Sequence, residues 1–238
     1  DIKDNLDDDQ ENMTSDIYED SVDALDMLNT NLQKIEEHGL NTTRILKAME
    51  EMLKDRGINL TLINVASICR KNIEMLHSYY ASDIADCHIQ IESPDKEAMA
   101  VAEVDAEQFS KVVMSMLANS IYALRKKYQQ GKVFEPLIRL QVFIDTESNQ
   151  AKVSIYDNGI GIESSIIDKV FDPFFTTKTT AEAVGVGMYL SREIILNHGG
   201  DIAVQSVKDE YTEFVISIPV HHPANEKKKT DEMREEND

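Results

Sequence analysis

From residue 20 to residue 56 the apolar positions recur at alternating intervals of three and four: Leu25, Leu28, Leu32, Ile35, then Gly39 and Thr42, then Leu46, Met49 and Leu53. This heptad rhythm predicts one long helix with a single apolar seam, weakened in its middle by Gly39 and Thr42. A seam of this kind needs a cover, so the expectation is a coiled-coil or four-helix-bundle dimer element. The alternative is an amphipathic helix packed on its own domain. Gly57, inside "DRGIN" at 55–59, ends the helix and supplies a hinge.

Beyond the hinge the pattern becomes mixed. "LINVASICRKNIEMLHSYYAS" predicts a helix, and "CHIQIES" and "AMAVAEV" two strands around an "SPDKE" turn. "DAEQFSKVVMSMLANSIYALRKKY" predicts a second helix with Asp105 as its N-cap. Two strands, "PLIRLQVFIDT" and "AKVSIYD", follow around "ESNQ". After a loop over 158–184 comes the helix "GMYLSREIILNH", closed by Gly199 and Gly200, and then the strands "DIAVQSV" and "TEFVISIPV". Strands pairing as hairpins with helices gathered on one face make an α+β sandwich. The chain therefore divides into an acidic segment (1–19), a bundle helix (20–57), an α+β domain (58–220) and a charged tail (221–238).

Charge narrows the partners. The net charge is −20, and binding a nucleic-acid backbone or an anionic membrane needs a basic face, so neither is expected. A nucleotide stays admissible because Mg²⁺ supplies positive charge locally. Both ends are charged and poor in apolar residues, the composition of solvated, disordered segments. No apolar run of about 18 residues occurs, which predicts no membrane insertion by this chain, and no leader is evident; the expected location is cytoplasmic. Cys69 and Cys87 lack metal-ligand spacing and read as buried or idle thiols.

Neither a P-loop nor a dinucleotide fingerprint occurs, so phosphate chemistry has to come from other pieces, and four stand out. Asn119 in "LANSIYAL" puts a neutral amide oxygen, suited to Mg²⁺, on a rigid helix; a hydrogen-bonded core asparagine would look the same. "DNGIGI" (157–162) follows a strand directly. Asp157 can accept from an exocyclic amine, and Gly159 and Gly161 let backbone approach a flat ring, although a tight turn without ligand also suits the residues. In "FDPFFTTK" (171–178), Phe171, Phe174 and Phe175 predict an aromatic anchor around Pro173, with Thr176, Thr177 and Lys178 projecting toward phosphate. "AEAVGVGMYL" (181–190) leads into a helix start, where backbone N–H groups and the helix dipole favour anions.

In this order and spacing the four pieces resemble the N, G1, F and G2 boxes of the ATP-binding catalytic domain of two-component sensor histidine kinases, within the GHKL ATPase superfamily. The likeness covers residues 58–220. It implies a Bergerat-type ATP-binding sandwich, a mixed β-sheet packed against helices, preceded by the long bundle helix. It further implies ATP and Mg²⁺, with Asn119 holding the metal, Asp157 contacting the adenine amino group, and Gly159, Gly161 and Ile162 shaping the adenine pocket. Thr177, Lys178, Gly185, Val186, Gly187 and Met188 would approach the phosphates under a lid spanning roughly 172–186. A homodimer formed through the N-terminal helix and a response regulator are the implied partners, in a parent protein of a kind commonly anchored in a membrane.

Departures from the family pattern sharpen the expectation. Ser115 stands one turn before Asn119, where the family has a second asparagine, or a glutamate base in its hydrolase branch. Ala181 and Ala183 replace the first lid glycines, and Val184 a common threonine; where φ > 0 is needed, alanine costs on the order of 1 kcal/mol. No histidine stands in the family's phosphoacceptor motif, and His38, followed by Gly39, matches the second bundle helix. His198 reads as a helix-end residue, and His77, His88, His221 and His222 offer no paired geometry. The expected function is the ATP-binding catalytic portion of a histidine kinase whose acceptor lies on another helix. The alternative is a degenerate nucleotide-sensing or partner-docking module with an impaired lid.

Overall fold

The computed structural model describes residues 15–53, 57–178 and 183–221. Contacts divide the chain into a smaller unit, 1–54 with 176–184, and a larger one, 55–175 with 185–238. In the smaller unit, helix α1 runs unbroken over Ser15–Leu53, straight through Gly39. Its seam is bare: Leu28, Leu32, Ile35 and Leu46 are each more than half exposed. The hinge residues 54–56 and Ala181 lie outside the described residues, as does His222.

The larger unit comprises strand β1 (Thr61–Asn64), helices α2 (Val65–Tyr79) and α3 (Ala81–Asp86), strands β2 (Gln90–Glu92) and β3 (Val101–Val104), and helix α4 (Ala106–Gln129). Strands β4 (Leu137–Asp145) and β5 (Gln150–Asp157), helix α5 (Gly187–Asn197) and strands β6 (Asp201–Val207) and β7 (Tyr211–Pro219) complete it. The main sheet has the order β2-β4-β5-β7-β6, and β1 and β3 form a separate antiparallel pair. Alternation decides its faces. Along β7, Thr212, Phe214, Ile216 and Ile218 are buried while the residues between them are only partly so. Phe214, Ile216 and Ile218 meet Phe109, Met116, Leu117, Ile121 and Leu124 of α4 and Leu76 of α2 in one core.

Two expectations are corrected. Leu62 and Ile63 belong to β1 rather than to the following helix, because Asn64 stops the strand and caps α2: its Oδ1 accepts from the Ala66 and Ala100 N–H groups, both at 3.1 Å. β2 and β3 do not form a hairpin around "SPDKE". β2 pairs in parallel with β4, which makes the main sheet mixed, and β3 pairs antiparallel with β1. The Asp105 cap is as expected, its Oδ1 accepting from Glu107 and Gln108 N–H. No helix among the described residues is long and apolar enough to cross a membrane.

Candidate functional site

One face of α4 organises the site. Residues 115, 119, 123 and 127 are spaced by four and so share a side of the helix. Ser115 lies opposite Gly187, where an added Cβ would stand 3.1 Å from its Oγ. The Asn119 Nδ2 donates to the Met188 Sδ at 3.2 Å. Ala123 packs so tightly under Gly159 that a Cβ there would come within 2.6 Å of it. Thus the helix carrying Asn119 touches both the turn after β5 and the first residues of α5.

Asp157 closes β5, and it is 2% exposed. Its Oδ2 accepts from the Ser120 hydroxyl at 2.9 Å and its Oδ1 from the Gly159 N–H at 3.0 Å. Burial pushes the carboxyl up to about 7, against the opposing pull of those two hydrogen bonds and of the nearby Lys127 ammonium. A carboxyl so buried, aimed along a helix face and titrating near neutrality, is the profile of a binding-site acid. Sequence reasoning found Asp157 but missed Ser120, whose signal was its place one residue after Asn119, turned toward the strand.

Gly161 adopts φ +62, and a Cβ there would fall 2.1 Å from the Val207 carbonyl oxygen, so no side chain fits. The neighbouring Ile162 N–H donates to Ser206 Oγ at 2.8 Å, and the Ile162 side chain packs on the core. At the other end of the site, Gly185 takes φ +78 and leads through Val186 into α5. The N-cap residue Val186 makes no side-chain hydrogen bond to that helix start, and a helix N-terminus favours an anionic acceptor.

Thr177 and Lys178 fall in the smaller unit, where the Lys178 N–H donates to Thr176 Oγ1 at 3.1 Å. Ala183 and Val184 belong to that unit too and are half-buried. The aromatic anchor is one ring rather than three. Phe171 meets Phe214 edge-on, with centroids 6.3 Å apart, and carries Arg192 over its face. Phe174 is exposed, with a left-handed φ of 65°.

His198 and the two cysteines stay outside this chemistry. His198 is buried at the end of α5, its Nε2 accepting the Asp105 N–H at 3.0 Å and its Nδ1 lying 2.7 Å from the Ile194 carbonyl. It ties α5 to the start of α4. Cys69 is free and its thiol is pushed up to about 12 by burial; burial also raises the Cys87 thiol. Among the described residues no group of three or more His, Cys, Asp or Glu could hold a metal. The Asn119 side-chain amide offers one neutral oxygen, which fits Mg²⁺, an ion commonly held by one or two protein groups together with phosphates and water.

Residues 104–222 match the family model described as histidine kinase-, DNA gyrase B-, and HSP90-like ATPase. The signal transduction histidine-protein kinase AtoS of Escherichia coli is 38% identical over 122 residues, 51% of this chain and 18% of that protein. The chain spans 18%, 14% and 35% of the length of AtoS, the two-component sensor PprA of Pseudomonas aeruginosa and the sensor histidine kinase ZraS of Salmonella typhimurium. The fold is that of the catalytic domain of histidine kinase ThkA (TM-score 0.55, 22% identity, 68% of this chain and 97% of that one). It is likewise that of ThkA in complex with response regulator protein TrrA (TM-score 0.54, 21% identity, 83% and 50%).

Proposed function

The chain belongs to the histidine kinase-, DNA gyrase B-, and HSP90-like ATPase family, and from that premise we propose that it is the ATP-binding catalytic portion of a two-component sensor histidine kinase. The observation that carries this reading is the buried Asp157 carboxyl, held by Ser120 and Gly159 against the α4 face whose Asn119 meets the uncapped start of α5. Asp157 accepts from the adenine amino group, in a slot shaped by Gly159, Gly161 and Ile162. Asn119 would hold Mg²⁺, which would supply positive charge beside the phosphates. Gly185, Val186, Gly187 and Met188 approach the phosphates, the N–H groups at the start of α5 serving as donors.

The chain's own residues contribute positioning. Ser115 offers no carboxylate to deprotonate water, which speaks against the hydrolase branch. The reaction is instead transfer to a side chain: an imidazole nitrogen attacks the γ-phosphorus, the bond to the β–γ bridging oxygen breaks, and ADP leaves. None of the chain's six histidines stands in an acceptor motif, so that imidazole is supplied by another helix. Residues 20–57 would form the second helix of the phosphotransfer bundle, 58–220 the ATP-binding domain, and 1–19 and 221–238 charged flanks. The exposed seam of α1 supports a homodimer through that helix. The likeness to the ThkA–TrrA complex supports a response regulator as downstream partner, and a cytoplasmic location goes with both. No comparison favours the degenerate alternative.

Incubation of the chain with γ-labelled ATP, Mg²⁺ and a bundle fragment bearing its acceptor histidine tests the proposal. Acid-labile, base-stable label on the bundle is expected. Intact ATP binding with no such label would refute the transfer step.

A further inference from the structure

The stripe on α4 continues past the glycines. Lys127, one turn beyond Ala123, is 7% exposed, and burying an ammonium is costly unless its protons are satisfied. Its Nζ donates to the Asn158 carbonyl at 2.6 Å and to the Glu210 carbonyl at 3.4 Å, and it lies over the Phe134 ring at 4.7 Å. Those carbonyls belong to two different turns. Asn158 stands between Asp157 and Gly159, and Glu210 lies in the turn between β6 and β7.

Independent contacts sew the two turns together. The Asp209 N–H donates to the Ile160 carbonyl at 2.7 Å, and Lys208 pairs with Glu163. The Asn158 side chain locks its own turn from the opposite side, accepting from Leu137 N–H and donating to the Glu135 carbonyl, both at 2.8 Å. Lys127 is the point at which α4 reaches both turns at once.

We infer that Lys127 is a positioning residue of the nucleotide site, its ammonium clamping the Asn158 and Glu210 carbonyls so that the turn carrying Asp157 and Gly159 keeps its binding shape. The inference rests on the reading of Asp157 as the adenine contact. A second consequence is electrostatic. The charged groups acting on Lys127 are Lys132 beside it and Asp157, Asp209 and Glu210 from the strands and turns, and burial lowers its own pKa. Asp157 in turn is faced by the Ser120 hydroxyl and the Lys127 ammonium from α4 and by the Gly159 N–H of its own turn, and the ammonium favours its ionised form.

The test compares the full chain with Lys127→Met, which keeps the aliphatic stem, and Lys127→Gln, which keeps a neutral donor. The Asp157 carboxyl carbon is titrated by NMR without nucleotide, and binding of a non-hydrolysable ATP analogue with Mg²⁺ is measured by calorimetry at pH 7. In both variants the Asp157 midpoint should rise by about one pH unit. Affinity should fall about tenfold in Lys127→Met and less in Lys127→Gln, where a hydrogen bond to Asn158 survives. An unchanged midpoint and unchanged affinity would overturn the inference, and the Gln variant decides alone if the Met variant does not fold. Failure of the unsubstituted chain to bind the analogue would instead refute the assignment of Asp157, while the NMR midpoints would still report on Lys127.

Discussion

The Ser120 hydroxyl donates to the Asp157 Oδ2 across 2.9 Å inside the domain, and both residues are almost wholly buried. With Gly159 holding the other oxygen, the carboxyl has a fixed orientation before any ligand arrives, which limits the ordering cost of binding. Ser120→Ala removes that restraint and one hydrogen bond to the ionised form. The expected result is nucleotide affinity weaker by about five- to tenfold at pH 7, read by calorimetry, since a hydrogen bond to a charged group is worth roughly 1.5–3 kcal/mol and part of it is replaced by solvent or ligand.

The titration of Asp157 near 7 sets a pH dependence for binding. Only the ionised carboxylate accepts at both oxygens, so a donor such as an amino group binds better above the midpoint. Affinity for the ATP analogue should strengthen between pH 6 and pH 8 and level off above. Asp157→Asn should flatten the profile at the weak end.

Stability responds in the opposite direction. The folded carboxyl titrates above its unfolded value of 3.8, so the native state holds a proton that the unfolded chain has released. Its contribution is fully present below about pH 4 and is lost as the pH rises through about 7. Asp157→Asn carries no such proton. Its thermal midpoint relative to the unsubstituted chain should therefore climb between pH 5 and pH 8, by an amount worth a few kcal/mol at most. Scanning calorimetry across that range checks it, and a constant difference would contradict the buried-acid account.

The bare seam of α1 predicts association. Each leucine-sized side chain taken from water contributes about 1.5–3 kcal/mol, and Leu28, Leu32 and Ile35 lie in consecutive seam positions. Leu32→Glu should convert a dimer into a monomer in sedimentation while leaving nucleotide binding by the larger unit within about twofold.

Much of this was legible in the sequence where the code is local. The Asp105 cap, the 24-residue α4, the β4–β5 hairpin and the alternation of β7 follow from residues within one or two turns of each other. β1 was absorbed into a helix because four residues are too few to establish a period and its only partner, β3, lies some forty residues away. The same distance hid the parallel pairing of β2 with β4, which no neighbouring turn could announce. At the candidate site, Asn119, Asp157 and the glycines stand out through residue type. Ser120 and Lys127 do not, since serine and lysine are ordinary on helices. Their meaning comes from contacts 37 and 31 residues away in the chain. The four-residue spacing of Ser115, Asn119, Ala123 and Lys127 was the one local sign. The aromatic anchor failed for a related reason: three phenylalanines close in sequence cannot all face the core once the backbone at Phe174 turns left-handed.

The proposed function stands or falls on adenine-nucleotide binding at Asp157 beside the α4 face. Its most direct test is calorimetric titration of the chain with a non-hydrolysable ATP analogue and Mg²⁺, beside Asp157→Ala and beside the lid variant Ala181→Gly with Ala183→Gly. Micromolar binding by the unsubstituted chain, lost in Asp157→Ala and kept or strengthened in the lid variant, is the predicted result. Absence of binding in both the unsubstituted chain and the lid variant, or binding that survives Asp157→Ala unchanged, would contradict the account.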